Sequence, residues 1–130
     1  MTRGNEQDRR TTTVLVVDDD RAVRDSLKFS LELEGFRVRV YADGQELLKD
    51  SDLPPDTCLV IDQVMPSMSG LEIVDAIRRR GDLRPAILMV SHPNLMVRTG
   101  AAARGIAVVE KPFFGPALLD AIHNAITRRR

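Results

Sequence analysis

The chain has 130 residues, 43% hydrophobic and 29% charged, a composition typical of a folded domain and not of a disordered chain. Basic and acidic residues number 19 each, so no overall charge attracts nucleic acid or an acidic membrane surface. Cys58 is the single cysteine, which excludes an intramolecular disulfide and a cysteine-based zinc site. No apolar run approaches the roughly 20 residues that span a bilayer. The polar start lacks the apolar region of a signal peptide, so we expect a cytoplasmic protein.

The beginning of the chain differs in composition from the rest. Residues 1–12 are mostly polar or charged and predict a flexible N-terminal tail. The remainder carries the apolar periodicity of a folded region, and its length is sufficient for one hydrophobic core. We therefore expect a single domain over residues 13–128.

Apolar runs predict five β-strands along the chain. They lie at residues 14–17, 36–41, 57–61, 86–90 and 108–110. The first and third runs are apolar throughout, as parallel strands buried on both faces are. The run at 36–41 alternates apolar and charged residues, which is typical of a half-exposed strand at the edge of a sheet.

A helical pattern follows each predicted strand. The first helix has apolar residues at positions 23, 27 and 31 and ends before Gly35, and the second is the short segment 45–49. A Ser69–Glu72 capping box opens the third, with Leu71, Val74 and Ile77 inward. The fourth is the segment 94–104, interrupted by Gly100, and the last is opened by Gly115 and Pro116. Five strand–helix rounds predict an α/β doubly wound sandwich, in which helices cover both faces of a five-stranded parallel sheet.

Charged residues follow three of the predicted strands directly. Asp18 and Asp19 follow the first strand, Asp62 the third and Lys111 the fifth. Ligands of open α/β sheets bind beyond the carboxyl ends of the strands, so these side chains are expected to share one site. Mutual repulsion among the carboxylates favours a bound divalent cation such as magnesium. The next aspartate, Asp20, is expected to cap the first helix.

The same strand ends carry groups suited to phosphoryl chemistry. A carboxylate on a rigid strand, here Asp62, can act as a nucleophile and form an acyl phosphate. The ammonium of Lys111, the hydroxyl of Ser91 and backbone amides after Asp62 can neutralise the transferred group. Each residue taken alone also fits a capping or surface role, and their joint placement is what favours a common site.

At these residues the chain resembles the receiver domains of bacterial two-component response regulators. The matching stretches are residues 14–20, 59–66 with Gly70, 89–91 and 109–113. The resemblance runs from about Thr13 to Ile126, and the Glu-Lys-Pro-Phe tract looks most like FixJ-type receivers. It implies the CheY-like, flavodoxin-like (βα)5 fold with strand order 2-1-3-4-5.

The resemblance also implies a role for each site residue. Asp62 would be the phosphoacceptor. Magnesium or manganese would be held by Asp18, Asp19, Asp62 and the backbone carbonyl of Val64. The phosphoryl group would be contacted by Ser91, Lys111, Gln63 and Val64.

Partners follow from the same resemblance. A sensor histidine kinase or a phosphotransfer protein would donate the phosphoryl group. The face formed by the fourth and fifth strands and the helices after them would then switch contact with an effector domain, a partner protein or a second copy. Neither direct nucleic-acid binding nor membrane binding is expected, because the arginine runs at 78–80 and 128–130 end predicted helices, where the helix dipole favours cations.

The region expected to report phosphorylation departs from the family pattern. The switch region would comprise Ser91, His92 and Val108, and Val108 stands where receivers of the family carry an aromatic residue. The segment 91–111 is also shorter than in the usual receiver. We therefore hypothesise that activation orders this loop and its short helix and does not rotate an aromatic ring.

Two alternative functions remain open. An aspartyl-phosphate phosphatase of haloacid dehalogenase type also places an aspartate after a strand, with a second aspartate two residues later as the general acid. Val64 occupies that position and cannot transfer a proton. A receiver that acts only as a phosphorylation-independent scaffold is disfavoured by the intact set of polar site residues.

Overall fold

The computed structural model of the chain describes residues 11–111 and 116–129. Most of the predicted tail, residues 1–10, lies outside the described residues, as do Pro112, Phe113 and Gly115 of the sequence motifs. Thr12 is buried, and its carbonyl accepts a hydrogen bond from the Arg37 amide at 3.3 Å. The boundary of the folded domain at residue 13 stays a prediction.

Strands and helices alternate as the sequence predicts. In chain order they are β1 (Thr13–Val17), α1 (Arg21–Leu33), β2 (Arg37–Tyr41), α2 (Gly44–Lys49), β3 (Thr57–Asp62), α3 (Gly70–Arg79), β4 (Ala86–Val90), α4 (Leu95–Ala103), β5 (Ala107–Glu110) and α5 (Ala117–Arg129). Within the described ranges, none of the helices has the length and apolar content to cross a bilayer.

All five strands are parallel and lie in the order β2-β1-β3-β4-β5. The predicted flavodoxin-like order is therefore confirmed. The half-exposed strand β2 forms one edge of the sheet, also as predicted, and β5 forms the other. The register places Val16 of β1 beside Val40 of β2 and Val60 of β3, so the strands end nearly level with one another.

Two hydrophobic cores lie on opposite faces of the sheet. Successive side chains of a strand point to opposite faces, so Leu15 and Leu59 join one core while Val16 and Val60 join the other. The first core is covered by α2, α3 and α4, and the second by α1 and α5. Strands apolar on both faces are what this two-sided burial requires.

The helix signals of the sequence are largely confirmed. Asp20 accepts hydrogen bonds from the first-turn amides of α1, and the capping box of Ser69 and Glu72 opens α3. One inward position differs, because Ile73 is fully buried whereas Leu71 is only partly buried. Leu71 instead packs toward α4, where a Cβ on Gly100 would lie 2.8 Å from its Cδ1 atom.

Helix α4 is held mainly at its C-terminal end. Ala101 is buried there, and Arg104 makes a two-pronged ion pair with Asp75 of α3 through N–O distances of 2.7 and 2.8 Å. At the other end, Asn94 caps the helix, but Leu95 and Met96 are about four-fifths exposed. The helix interrupted by glycine in the sequence is thus anchored to α3 at one end and open to solvent at the other.

Candidate functional site

The strand ladder continues just past the strand ends and brings the polar residues to one edge of the sheet. The Asp18 amide donates to the Tyr41 carbonyl at 3.2 Å, and the Lys111 amide donates to the Val90 carbonyl at 2.8 Å. Asp18, Asp62 and Lys111 each lie two residues after a side chain of the core under α1 and α5, namely Val16, Val60 and Val109. This alternation turns all three side chains toward the same face.

Three carboxylates meet at this edge. One oxygen each from Asp18, Asp19 and Asp62 lies within 4.8 Å of the other two. Asp18 is fully buried and Asp62 nearly so, whereas Asp19 is exposed. The arrangement combines two rigid, desolvated acidic groups with a third that faces the solvent.

Lys111 reaches both buried carboxylates. Its Nζ atom lies 2.9 Å from Asp18 Oδ2, to which it donates a hydrogen bond, and 3.4 Å from Asp62 Oδ1. Burial by itself disfavours the ammonium, but the hydrogen bond to Asp18 and the charges of both carboxylates outweigh that cost and raise the pKa of Lys111. The lysine is therefore held protonated between the two acids.

Asp62 is the carboxylate whose ionisation the site disfavours. Burial, followed by the nearby charge of Asp18, raises the pKa of Asp62. Lys111 and the backbone N–H of Val64 act in the opposite direction without cancelling the effect. Burial is the larger cause of the raised pKa of Asp62, and repulsion by Asp18 is the second.

Asp18 is fixed from several sides. Its Oδ1 atom accepts the Asp20 amide at 2.9 Å, and its backbone carbonyl accepts a hydrogen bond from the guanidinium of Arg24 at 2.8 Å. Sequence reasoning missed Arg24, because its position on the helical pattern of α1 gives no sign that it folds back to the strand end. Together these contacts orient the carboxylate toward Lys111 and Asp62.

Gln63, which is predicted to contact the phosphoryl group, is hydrogen-bonded to β4 and to α3. Its amide donates to the Met89 carbonyl at 2.9 Å, and its side-chain Oε1 accepts the Leu71 amide of α3 at 3.0 Å. Both hydrogen bonds lead away from the carboxylates, and the contact of Gln63 with a phosphoryl group stays a prediction. Val64 remains at the site, with an exposed side chain and a backbone N–H whose interaction with the Asp62 carboxylate lowers the pKa of Asp62.

Gly70 allows α3 to begin directly against the acidic strand end. A Cβ at this position would lie 2.8 Å from the Asp62 carbonyl oxygen and 2.5 Å from Leu88 Cδ1. Backbone at that distance cannot yield, so the close approach requires glycine. The loop 64–69 therefore leaves β3 and returns to α3 at nearly the same point.

The predicted switch residues are divided between two places. Ser91 and His92 are exposed after β4 and line one cleft with Lys111 and residues of α1. Val108 is half-buried on β5, where it packs against the core under α2, α3 and α4. The structure thus brings Ser91 to the cleft above the site, but Val108 lies on the other side of the sheet.

The acidic trio fits a small divalent cation. Three carboxylates against one ammonium leave an excess of two negative charges in a largely desolvated space. Oxygen ligands of this kind, with an open side that admits water and a phosphate, are what magnesium requires. The residues present can therefore hold the metal that the resemblance implies.

The fold and the site define a flavodoxin-like α/β sandwich with an acidic, lysine-bearing edge at the carboxyl ends of its strands. The family model described as response regulator receiver domain matches residues 14–123 of this chain. The chain belongs to this family, a class of signalling domains in two-component systems. Its sequence and its structure are similar to those of FixJ receivers.

Known proteins with similar sequences and structures support this assignment. The transcriptional regulatory protein FixJ of Azorhizobium caulinodans is 37% identical over 117 residues, which cover 88% of this chain and 55% of that protein. Response regulator MprA of Mycobacterium ulcerans is 40% identical over 120 residues, which cover 90% of this chain and 51% of that protein. The crystal structure of FixJ-N has a TM-score of 0.82 and 31% identity, covering 89% of this chain and 94% of that one. The chain thus spans about half the length of the curated relatives it matches.

Proposed function

We propose that this domain is the phosphoacceptor of a two-component signalling pathway and that Asp62 is the residue phosphorylated. The observation that supports this most directly is the contact of Lys111 with both Asp18 and Asp62 beside the third carboxylate, Asp19. This arrangement supplies a nucleophile, a fixed cation and a set of metal ligands within one small volume.

The proposed reaction is a phosphoryl transfer to a carboxylate. An Asp62 oxygen forms a bond to phosphorus as the P–N bond of a phosphohistidine breaks, and the bonding pair leaves with the imidazole, which takes up a proton. Lys111 stabilises charge on the transferring oxygens, and the Val64 N–H and the Ser91 hydroxyl donate to the same oxygens. Water later attacks phosphorus, the bond to the Asp62 oxygen breaks, and the carboxylate is restored with release of inorganic phosphate.

The metal in this proposal is Mg²⁺ or Mn²⁺, held by Asp18, Asp19, Asp62 and the carbonyl of Val64. A bound divalent cation neutralises charge on the carboxylates and on the phosphoryl oxygens. Asp18 is buried and one of its oxygens is already bonded to Lys111, and by analogy with the family it would help to hold the cation mainly through water.

The proposed donor is a sensor histidine kinase or a phosphotransfer protein, and the proposed output is a change at the face formed by β4, α4, β5 and α5. The relatives named FixJ and MprA are a transcriptional regulatory protein and a response regulator, and this chain covers 55% and 51% of their lengths. By analogy, an effector domain, a partner protein or a second copy would contact that face. Cytoplasmic location and the absence of direct nucleic-acid binding remain part of this proposal.

The phosphatase alternative requires a general acid two residues after the nucleophile. The residue two after the nucleophile is Val64, whose side chain is apolar and 75% exposed. It can neither donate a proton to a leaving group nor accept one from water.

Phosphorylation by a small donor tests the proposal. The protein is incubated with Mg²⁺ and acetyl phosphate, and its intact mass is followed by mass spectrometry. We expect one added phosphoryl group in the wild type, none in Asp62→Asn, and a wild-type result in Asp25→Asn, which changes an exposed aspartate of α1. Modification that persists in Asp62→Asn would contradict the proposal, and steady hydrolysis of p-nitrophenyl phosphate would favour the phosphatase.

A further inference from the structure

Gln63 lies between the proposed phosphoacceptor and the loop that carries Val64. Its backbone N–H bonds to the Met89 carbonyl of β4 at 2.9 Å, which fixes the residue to the sheet. Its side chain faces away from Asp62, because neighbouring residues of a strand point to opposite sides. That direction leads to α3, where the side-chain Oε1 accepts the Leu71 amide at 3.0 Å.

The first turn of α3 is satisfied almost entirely by two residues. A helix begins with amides that have no partner inside the helix. Gln63 accepts two of these in α3, the Gly70 amide with its carbonyl and the Leu71 amide with its side chain, both at 3.0 Å. Ser69 accepts the third, the Glu72 amide, at 3.2 Å. Ser69 also accepts the Ile73 amide with its carbonyl at 3.0 Å, so Gln63 and the cap residue each accept two amides of this helix.

The two hydrogen bonds that Gln63 accepts hold the start and the end of the loop 64–69 together. Gly70 rests on the backbone of Asp62 and Gln63, so the loop starts and ends at the same place. Val64 is the first residue of this loop and follows Gln63 directly in the chain. A loop held in its binding geometry before the ligand arrives costs less free energy to order when the ligand binds.

We propose that Gln63 is a positioning residue that holds the Val64 backbone in the orientation needed for divalent-cation binding beside Asp62. The inference rests on the proposed function, because the cation is the ligand for which the orientation matters. In this positioning role the Gln63 side chain touches neither the cation nor the phosphoryl group. It acts through the hydrogen bond of its side chain to Leu71, which ties the loop to the first turn of α3.

The test separates loop positioning from helix stability with two matched variants. Gln63→Met keeps the length of the side chain and removes the strong acceptor, and Ser69→Ala removes the other side-chain acceptor of the same helix turn. Both variants lose one cap and are expected to lower the midpoint of thermal unfolding by similar amounts. The Mg²⁺ dissociation constant of each is measured by titration of amide chemical shifts.

We expect Gln63→Met to raise the Mg²⁺ dissociation constant about fivefold, the equivalent of one net hydrogen bond. Ser69→Ala should stay within about twofold of the wild type, since the bond between Ser69 and the Glu72 amide does not involve the strand end beside Val64. The carbonyl carbon signal of Val64 in the metal-free protein should shift or broaden in Gln63→Met alone. Gln63→Glu keeps an oxygen acceptor at the same reach and should retain the Leu71 amide's protection from hydrogen exchange.

The outcomes distinguish this inference from the function on which it rests. If the wild type binds Mg²⁺ and Gln63→Met binds it equally well, the positioning role is contradicted while the phosphoacceptor proposal stands. Equal weakening in Gln63→Met and Ser69→Ala would likewise contradict it, because helix stability alone would explain the loss. If the wild type itself binds no Mg²⁺, the proposed function fails and the positioning role fails with it.

Discussion

The ammonium of Lys111 lies 2.9 Å from a carboxylate oxygen of Asp18, a side chain fully buried at the end of β1. The two residues are far apart in sequence and meet because β1 and β5 deliver them to the same edge of the sheet. The same ammonium lies 3.4 Å from Asp62. In the proposed mechanism, a phosphoryl group on Asp62 competes with Asp18 for the Lys111 ammonium. Phosphorylation of Asp62 therefore changes the interactions of the buried Asp18 carboxylate.

Replacing Lys111 should destabilise the metal-free protein. Lys111→Met leaves the buried Asp18 without its cation, and we expect a loss of about 2 kcal/mol in the free energy of unfolding. Urea unfolding without metal measures it, and added Mg²⁺ should restore part of the loss. The matched control is Lys28→Met, which breaks a 2.7 Å pair with Glu32 on the surface of α1 and should cost less than about 1 kcal/mol. Equal costs for the two lysines would contradict the account.

The raised pKa of Asp62 predicts a pH-dependent gain in stability when this residue is neutralised. Between the ordinary pKa of an aspartate and the raised folded value, the folded state binds more protons than the unfolded state. The free energy of unfolding therefore falls as pH rises through that window. Metal-free Asp62→Asn should be more stable than the wild type at neutral pH, and the difference should vanish below the ordinary aspartate pKa. A difference that stays constant with pH would show that Asp62 titrates normally.

The two glycines near α3 predict opposite tolerances to alanine. Gly70→Ala places a methyl group against the Asp62 carbonyl and should cost about 1–3 kcal/mol, the usual range for overpacking. Gly100→Ala meets only the terminal carbon of Leu71 and the end of the Arg104 side chain, and about 1 kcal/mol of helix propensity offsets the crowding. Thermal unfolding of both variants checks the contrast. A better-tolerated Gly70→Ala would mean that α3 does not rest on the strand end as described.

Most of the architecture can be predicted from the sequence, and so can the set of residues that meet at the site. Apolar runs and alternation located all five strands, and the rule that parallel strands end together brought Asp18, Asp62 and Lys111 to one edge. The strand order itself came from the family resemblance. Asp20 and the capping box of α3 were also predicted, because capping depends on local chemistry that a short stretch of sequence contains.

The contacts that the sequence did not predict are those between distant elements. Arg24 folding back to the Asp18 carbonyl and the pairing of Arg104 with Asp75 depend on how helices pack, which a local pattern does not encode. The hydrogen bond from the Leu71 amide to the Gln63 side chain likewise joins the end of β3 to α3. The partial burial of Leu71 has a similar cause, since Gly100 of α4 lets that side chain pack between helices.

The anchoring of α4 predicts where activation should be visible. Arg104 and Asp75 hold the C-terminal end of the helix, whereas Leu95 and Met96 at the other end are exposed. If activation orders the loop after β4, amide chemical shifts should change most between Ser91 and Met96 when acetyl phosphate and Mg²⁺ are added. Smaller changes are expected toward Arg104. Spectra that do not change in residues 92–106 would rule out this mode of switching.

Binding of beryllofluoride, a mimic of the phosphoryl group, tests most directly whether Asp62 is the acceptor. Fluorine NMR is recorded on the wild type and on Asp62→Asn with beryllium, fluoride and Mg²⁺ present. The account predicts bound fluorine signals in the wild type that require Mg²⁺ and disappear in Asp62→Asn. Bound signals that survive in Asp62→Asn, or a wild type that gives none with all components present, would contradict it.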